Sequence, residues 1–430
     1  MTLAADQLFE PRHTCRVCES RELERALSLA ATPLGDRYVP RERLADVSSL
    51  IPLDLDLCSR CGQVQIAVVP NPEPIYSHYL SRPAAVNPAL QNSFRHYASN
   101  LLERLQPAEG KFAVELGSND GIFASLLQAG GVRVLGIDPA ANLAPQAAEL
   151  GVETLTTYFT ASLAADIRAS RGRAELIVAN HVFANIDDLG DVMEGVRMLL
   201  APEGIFVVQT GYLKSLVQRN LLETINHDHL SYFSLRTMVQ LCARHGLEVF
   251  DALETGEKGG SLRVFMQHPG AARAVGDAVS ALSAAEAQLG LDRVSSYLPL
   301  AEFIRQNRSR LHRLLDPVRC HGDGVAAYGT SIGATTLTYQ YDLGHAIDFF
   351  VEDDPYRQDL FSPGFGIPVV APEALQTRSP HYVMVTAPQY AAEIMDKNQA
   401  FLSAGGTFVL TWPEFSIERG AEARLARVEK

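Results

Sequence analysis

Segment 115–121, which reads Glu-Leu-Gly-Ser-Asn-Asp-Gly, combines acidic, amide and glycine residues in one short stretch of the chain. The apolar run 112–116 predicts a strand that is buried on both faces, and 122–129 predicts the helix that follows it. Asp138 ends the next apolar run, about twenty residues after Gly117, where a carboxylate can accept hydrogen bonds from both hydroxyls of a ribose. This order of strand, glycine turn, helix and acid predicts a nucleoside site in a doubly wound α/β sheet.

The glycines of this turn are spaced Gly117-x-x-x-Gly121, which differs from the G-x-G-x-x-G spacing that cradles a pyrophosphate. Such a turn needs only to let the backbone approach the methionine end of S-adenosylmethionine. Asn119 and Asp120 offer polar contacts to the amino and carboxyl groups of that ligand, or to water. We therefore predict S-adenosylmethionine as the cofactor. The predicted cofactor-binding residues are Glu115, Gly117, Asn119, Asp120, Asp138, Pro139 and Asn180.

Four of the six cysteines form two Cys-x-x-Cys knuckles. Two knuckles let four thiolates converge on one ion, which is the ordinary arrangement of a closed, structural zinc site. The ion would tie the N-terminus to a strand pair near 53–66, and disulfides are not expected in a cytoplasmic chain. We interpret Cys242 and Cys320 as packing residues. The predicted zinc ligands are Cys15, Cys18, Cys58 and Cys61.

The densest titratable cluster lies in segment 223–234. Ser234 predicts the N-cap of a following helix, and a histidine loop fixed to a capped helix is rigidly presented, as a general base must be. A histidine of this loop could abstract a proton, and Asp228 could support it by orienting the ring or stabilising its cationic form. Two alternatives stay open. The pair His227 and His229 could bind a metal, or the loop could be a structural element held by hydrogen bonds.

Composition restricts the class of protein. A chain of 430 residues predicts two or three domains, and a net charge of −13 argues against a nucleic acid polymer as partner. The sequence contains no run of the roughly 18 apolar residues that a membrane span needs, and residues 1–11 lack the basic and apolar regions of a secretion signal. We expect a cytoplasmic protein with no membrane partner.

Alternating strand and helix patterns position these residues. Between 111 and 209 they predict a parallel sheet with crossover helices, and the runs 247–253 and 261–267 predict a hairpin that closes this sheet. A region rich in alanine and leucine, 271–315, predicts a helical bridge. A second strand, glycine turn and helix begin at Val325, which predicts a Rossmann-like unit. Its glycines either serve a nucleotide or only permit tight packing.

With these features in this order, the chain resembles the deoxysugar C-methyltransferases, and the resemblance covers nearly all of it. Such enzymes methylate the carbon next to a ketone in a nucleotide-linked 4-keto sugar, and their C-terminal domain holds much of the nucleotide. Further matching stretches are Ala179-Asn180-His181-Val182-Phe183-Ala184, His227-x-His229-Leu230-Ser231-Tyr232-Phe233-Ser234, Gly259-Gly260-Ser261-Leu262-Arg263-Val264, Asp354-Pro355-Tyr356 and Pro363-Gly364.

The resemblance implies an α/β protein in four parts. These are a zinc-binding module (1–75), a class I, S-adenosylmethionine-dependent methyltransferase domain (76–255), a helical bridge (256–315) and a C-terminal Rossmann-like domain that binds the nucleotide (316–430). The implied partner is a nucleotide-linked sugar, and we expect a monomer.

The resemblance also implies roles for individual residues. His229 is the base that forms an enolate, and Tyr79 corresponds to the family's tyrosine near the sugar. Asn226, Asn185 or Tyr79 would stabilise the enolate charge as hydrogen-bond donors. The implied substrate-binding residues are His181, Lys258, Tyr328, Gly329, Ser331, Glu352 and Arg357.

This chain departs from the family pattern at three places. The family often has Tyr-His-Glu-His where this chain has Asn-His-Asp-His at 226–229, and Ala-His-Ile where it has Ala-Asn-Ile at 184–186. The family's lysine-bearing glycine turn appears here at 330–333 without a lysine. Three alternatives therefore accompany C-methyl transfer. They are an O-methyltransferase on the same scaffold, a nicotinamide-dependent oxidoreductase that uses the Gly329 turn, and a non-catalytic protein that binds nucleotide sugars.

Overall fold

The computed structural model describes residues 8–76, 79, 88–321 and 324–419.

The N-terminal module consists of short antiparallel strands. A four-stranded sheet has the order β11-β4-β3-β2, and β1 pairs with β5 in a separate ribbon. The strand pair predicted near 53–66 is confirmed as β3 and β4. The strands are β1 (Phe9–Pro11), β2 (Leu23–Leu27), β3 (Leu55–Cys58), β4 (Val64–Ile66), β5 (Val68–Pro70) and β11 (Ser231–Tyr232).

The central domain is built on a seven-stranded sheet of order β12-β13-β10-β9-β6-β7-β8. β6 to β10 are parallel, and β13 runs antiparallel to both β10 and β12. The strand order reverses between β6 and β9, which opens a crevice at the carboxyl ends of these strands. The strands are β6 (Phe112–Leu116), β7 (Arg133–Ile137), β8 (Glu153–Leu155), β9 (Ala174–Asn180), β10 (Leu200–Gly211), β12 (Glu248–Thr255) and β13 (Ser261–Gln267).

β6 shows why these segments form strands. All five of its residues are buried, because helices cover both faces of the sheet, so its sequence is continuously apolar except for Glu115. The helices before and around this sheet are α1 (Glu73–Tyr76), α2 (Pro88–Arg104), α3 (Ile122–Ala129), α4 (Ala144–Glu149), α5 (Ala161–Arg171), α6 (Leu189–Leu199), α7 (Leu213–Arg219) and α8 (Leu235–Arg244).

The hairpin of β12 and β13 forms as predicted and closes the sheet. β13 is buried along its whole length because it lies between β10 and β12. The boundary expected between 255 and 256 therefore divides this hairpin, and the predicted helical bridge begins with a strand of the central sheet. The helices of the bridge are α9 (Asp277–Leu289) and α10 (Leu298–Cys320).

The C-terminal domain has a second, six-stranded sheet of order β16-β15-β14-β17-β18-β19, parallel except for β19. The order reverses between β14 and β17, as in a Rossmann fold. The predicted fold class is therefore confirmed for both sheets. The elements are β14 (Val325–Tyr328), α11 (Ile332–Gln340), β15 (Phe349–Val351), β16 (Val369–Val370), α12 (Ala374–Arg378), β17 (Tyr382–Val385), α13 (Ala391–Lys397), α14 (Gln399–Ser403), β18 (Thr407–Leu410) and β19 (Ser416–Arg419).

None of the helices in the described ranges combines the length and the apolar character that a bilayer crossing requires.

Candidate active site

A cavity of about 430 Å³ lies at the carboxyl edge of the central sheet, where the strand order reverses. Its wall includes residues of helix α1 and of segment 223–234, which we call the His229 loop. Ligands of open α/β sheets bind at this position. Each predicted cofactor-binding residue contributes to the wall: Glu115, Gly117, Asn119, Asp120, Asp138, Pro139 and Asn180.

The first glycine turn, residues 117–121, has a backbone that requires glycine. Gly117 has φ +69°, and a Cβ placed on it would lie 2.7 Å from the Cβ of Val182. Gly121 has φ +79° and precedes the first residue of α3. Both values lie in the left-handed region, where glycine carries no steric penalty. The turn can therefore bring the backbone close to a ligand.

Asp138 stabilises the first glycine turn through a hydrogen bond. Its two carboxylate oxygens accept hydrogen bonds from the backbone N–H groups of Asn119 and Ala140, each at 2.9 Å. Each oxygen keeps a further lone pair, so the carboxylate can still accept hydrogen bonds from ribose hydroxyls. Burial raises the pKa of Asp138, and the two N–H groups partly oppose that effect.

Several buried polar atoms of this cavity have no partner among the described residues. Glu115 accepts a hydrogen bond from Asn180 at 3.2 Å through Oε1, while Glu115 Oε2, Asn180 Oδ1 and Ser118 Oγ lack one. Burial raises the pKa of Glu115 to about 8. Such atoms are costly in a native structure unless a ligand satisfies them. A carboxylate in this position fits a cationic ligand, and S-adenosylmethionine carries both a sulfonium and an ammonium group.

The four predicted zinc ligands come together. Their sulfur atoms all lie within 4.8 Å of one another, and Cys15 Sγ accepts a hydrogen bond from the backbone N–H of Val17. Four sulfurs at this separation fit a tetrahedral zinc with bonds of about 2.3 Å. Cys242 is buried, as expected of a packing residue. The same interpretation of Cys320 is wrong, because that thiol is exposed.

Arg16, which lies inside the first cysteine knuckle, links the zinc module to the His229 loop. Its guanidinium donates hydrogen bonds to the carbonyl oxygens of Leu230 and Ile66 and pairs with Asp187 at 2.8 Å. Burial lowers the pKa of Arg16 to about 10, so the group stays charged at neutral pH. Sequence reasoning missed this residue. An arginine between two zinc ligands was the available signal.

The His229 ring is oriented by a backbone carbonyl. Its Nδ1 lies 2.8 Å from the oxygen of Thr224, which can only accept, so Nδ1 carries the proton and Nε2 has a free lone pair. Burial lowers the pKa of His229 to about 4, so the ring is neutral at physiological pH. Among the described residues, Asp228 makes no hydrogen bond to this ring. Burial raises the pKa of Asp228 to about 8.

The residues around His229 brace the loop. Asn226 accepts a hydrogen bond from the backbone N–H of Asp228 at 3.1 Å and donates one to Thr224 O at 3.2 Å. His227 Nε2 lies 3.2 Å from the carbonyl oxygen of Pro52, and burial lowers the pKa of His227 to about 4. His227 and Leu230 belong to the cavity wall, whereas His229 is not among the described wall residues.

Tyr79 and Asn185 also line the cavity. Asn142 fixes the backbone of Tyr79 through two hydrogen bonds of 3.0 and 2.9 Å. Burial raises the pKa of Tyr79, and the negative charge of Asp228 adds to that effect, which indicates that the two side chains lie near each other. Asn185 Oδ1 is buried without a partner in the described part of the chain. His181 and Lys258 are part of the same wall.

The second glycine turn, residues 329–333, makes hydrogen bonds and close contacts with other residues of the protein. The side chain of Glu352 accepts a hydrogen bond from the backbone N–H of Thr330 at 2.8 Å. Arg357 donates to both oxygens of Asp36 and to the carbonyl oxygen of Thr330. A Cβ on Gly333 would overlap the carbonyl oxygen of Glu223. The described cavity wall contains none of the predicted residues of this domain, which are Tyr328, Gly329, Ser331, Glu352 and Arg357.

Family models match the chain in three consecutive parts. A zinc binding domain matches residues 15–76, a methyltransferase domain matches 90–252, and the C-methyltransferase C-terminal domain matches 256–413. C-methyltransferase NovU of Streptomyces niveus is 34% identical over 408 residues, which are 95% of this chain and 97% of that protein. The chain belongs to the deoxysugar C-methyltransferase family. It is therefore an S-adenosylmethionine-dependent methyltransferase with a zinc module.

Two solved structures of methyltransferases align with part of the chain at low identity. N-methyltransferase NodS from Bradyrhizobium japonicum is 16% identical and has a TM-score of 0.32, covering 41% of this chain and 98% of its own. The 1,6-didemethyltoxoflavin-N1-methyltransferase from Burkholderia thailandensis is 14% identical and has a TM-score of 0.31, covering 48% and 95%.

Proposed function

We propose that the protein methylates the carbon next to a ketone in a nucleotide-linked deoxysugar, with His229 as the general base. The observation that carries this proposal is the hydrogen bond from His229 Nδ1 to the oxygen of Thr224. It leaves the Nε2 lone pair available, and His227 and Leu230 of the same loop line the cavity. The family resemblance supports a sugar substrate. It also supports a ketone beside the methylated carbon, because a ketone makes the neighbouring C–H bond acidic enough to lose its proton.

In the proposed reaction, the C–H bond next to the ketone breaks and its proton moves to His229 Nε2. The electron pair delocalises onto the ketone oxygen as an enolate. The imidazolium keeps its Nδ1–H bond to Thr224, so the ring does not need to turn. The pKa of His229 is low in the free protein, before a substrate is bound. During the reaction a cation forms beside an anion, and the pair is neutral overall, which offsets much of the cost of burial.

The cavity suits a cationic cofactor at one end. When bound, S-adenosylmethionine supplies a sulfonium methyl group as the electrophile, which the carbanion character of the acceptor requires. Glu115, Asn180 and Asp138 would hold it at the edge of the central sheet. The carboxylates of Glu115 and Asp138 attract positive charge, and the unpartnered oxygens of Glu115 and Asn180 can accept hydrogen bonds from an ammonium group.

We assign the nucleotide to the interface of the zinc module and the C-terminal domain. Arg357 pairs with Asp36 across this interface with its side chain 11% exposed, and its charge lowers the pKa of Tyr79, so it lies near this residue of the cavity wall. A diphosphate could replace the carboxylate of Asp36 as the bidentate partner of the guanidinium. Tyr328, Gly329, Ser331 and Glu352 remain predicted contacts of the nucleotide.

Exchange of a substrate proton with solvent deuterium distinguishes methyl transfer to carbon from methyl transfer to oxygen. The full-length protein is incubated in D₂O with nucleotide-linked 4-keto sugars, with S-adenosylhomocysteine in place of the methyl donor. We expect deuterium to enter next to the ketone in the wild-type reaction and not with His229→Asn. His321→Asn, which removes an exposed histidine, serves as the matched control. Methyl transfer to a hydroxyl without any exchange would identify an O-methyltransferase and reject the proposal.

A further inference from the structure

We propose that His181 and Lys258 bind the ketone oxygen on which negative charge develops, and that Gln209 and Arg263 are positioning residues that keep the His181 proton on Nδ1. The proposal rests on the proposed function, because it names the groups that receive the enolate. Proton removal by His229 leaves an electron pair on that oxygen. His181 Nδ1–H and the Lys258 ammonium would each donate a hydrogen bond to it.

A hydrogen-bond chain fixes the tautomer of His181. Arg263 Nε donates to Gln209 Oε1 at 2.6 Å, and a guanidinium has no acceptor, so this contact orients the amide. The amide nitrogen of Gln209 then lies 3.2 Å from His181 Nε2. An amide nitrogen can only donate, so His181 Nε2 must accept. The proton of the neutral ring is therefore on Nδ1.

The residues of this hydrogen-bond chain are buried and held by several contacts. Gln209 is 1% exposed and Arg263 is 6% exposed. The guanidinium carbon of Arg263 lies 3.4 Å from the ring centroid of Tyr97, a cation–π contact that holds it in place. The backbone N–H of His181 donates to the carbonyl oxygen of Gln209 at 2.7 Å. Both the backbone and the side chain of Gln209 thus hold His181.

His181 and Lys258 have strained backbone conformations. Their φ angles are +53° and +50°, in the left-handed region that residues with a Cβ rarely adopt. Gly260, two residues after Lys258, has φ +133°, and a Cβ there would overlap Ser215 Oγ. Strain of this kind is retained where the surrounding structure holds a group for a ligand. Two residues with positive φ angles in the wall of one cavity indicate that this part of the wall is shaped to bind a ligand.

The charge distribution of the cavity fits an oxyanion at this end. His181 and Lys258 are both wall residues, and the charges of Lys258 and His229 each lower the pKa of His181, so the three side chains are neighbours. Burial and the charge of Lys258 keep His181 neutral at physiological pH, where His229 is neutral as well. Desolvation lowers the pKa of Lys258 to about 8, which leaves it mostly charged at neutral pH. A neutral donor beside an ammonium suits an oxygen that gains charge in the transition state.

The tautomer can be tested without turnover. The ¹⁵N spectrum of the labelled, zinc-loaded protein is recorded, with His181→Asn used to assign the ring. We expect a neutral ring with the proton on Nδ1 at pH 7 and at pH 6. In Gln209→Glu the carboxylate accepts from both Arg263 and His181, so the proton is expected on Nε2. A wild-type ring protonated on Nε2, or an unchanged tautomer in Gln209→Glu, would overturn the assignment.

The role in catalysis is tested by the exchange reaction in D₂O. Lys258→Met is expected to lower the exchange rate by roughly 100-fold, the usual effect of removing one oxyanion donor, and Lys258→Arg to restore part of it. Gln209→Glu is expected to lower kcat with little change in KM for the methyl donor. Lys214→Met removes a lysine outside the cavity wall and serves as the matched control.

Two results separate this proposal from the proposed function. If the wild-type protein exchanges the proton and Lys258→Met and Gln209→Glu exchange it equally fast, the oxyanion site is wrong and the enolate chemistry stands. If the wild-type protein exchanges no proton with any 4-keto sugar but methylates another acceptor, the proposed function is wrong. In that case the oxyanion assignment falls with it, while the tautomer result is unaffected.

Discussion

The first glycine turn (117–121) and the second (329–333) are built in the same way. Each follows the first strand of its sheet and precedes a helix. In each, an acidic residue at the end of the neighbouring strand accepts a hydrogen bond from a backbone N–H of the turn. Asp138 does so from Asn119 at 2.9 Å, and Glu352 does so from Thr330 at 2.8 Å.

The two turns differ in what lies before the helix. The first opens into a cavity whose wall contains buried polar atoms without partners. The second is packed against the segment that precedes His229. Thr336 donates to the carbonyl oxygen of Ile225 at 2.6 Å, and Gly35 lies against Ile332. Within residues 324–419, no buried polar side-chain atom lacks a partner. The same local motif therefore borders a cavity in one domain and packs against the segment that precedes His229 in the other.

Loss of zinc is expected to give the largest effect. Cys58→Ser should abolish binding of one zinc per chain, lower the melting temperature and remove most activity. The reason is that Arg16 and Gly35 of the zinc module contact the His229 loop and the second turn. Affinity for the methyl donor should fall less than activity. Metal analysis, thermal unfolding and calorimetry measure these effects, and freshly purified wild-type protein without zinc would contradict the site.

Substitution of the two equivalent acids tests the comparison directly. Asp138→Ala should raise the Kd for the methyl donor roughly 100-fold or more, since two ribose hydroxyls lose a charged acceptor worth about 1.5–3 kcal/mol each. Glu352→Ala, its matched control in the second turn, should leave that Kd unchanged. Isothermal titration calorimetry measures both. Equal Kd values for the two variants would mean that the first turn is not the cofactor site.

His229→Asn should bind the methyl donor as wild type does and lose roughly 100-fold or more in turnover, the usual contribution of a positioned base. Asp228→Asn should lose less, because the ring is held by Thr224 rather than by Asp228. Thermal stability is measured beside turnover to separate folding from chemistry. A variant that keeps both its melting temperature and full activity would transfer the role to His227 or Tyr79.

Gly333→Ala tests whether the second turn supports the loop. The added Cβ overlaps the carbonyl oxygen of Glu223, a backbone atom that cannot move aside alone. We expect a loss of about 1–3 kcal/mol in the free energy of unfolding, as for other overpacked sites, and a fall in kcat at constant methyl-donor Kd. Gly211→Ala, where a Cβ meets no atom within 4 Å, is the control. Full activity in Gly333→Ala would show that the contact does not position His229.

The smallest effect concerns pH. Burial raises the pKa of Glu115 from 4.5 to about 8, so the folded protein binds a proton that the unfolded chain releases. This group therefore makes the free protein less stable as pH rises from about 4.5 to 8. A cationic ligand favours the ionised carboxylate, so its affinity should rise with pH, by at most tenfold per unit. Calorimetry in two buffers should detect proton release at pH 7, and Glu115→Gln should remove it.

Much of the fold follows from local sequence. The apolar runs at 112–116, 261–267 and 325–328 are strands at these bounds, and Ser234 caps α8 through a hydrogen bond to the backbone N–H of Thr237. Burial patterns and caps depend on residues close in sequence, so a chain shows them without a structure. The cysteine knuckles belong to the same class, because their ligand types and spacing are sufficient to predict a metal site.

The sequence by itself determined that this protein has a zinc module, two Rossmann-like sheets and S-adenosylmethionine as its cofactor. Only the tertiary structure decided which glycine turn is open, which atom of His229 is free, and which arginine joins the zinc site to the loop. Arg16 and Leu230 are separated by 214 positions, and Thr336 and Ile225 by 111. Contacts at such separations depend on how whole domains pack, because no local propensity or periodicity encodes them.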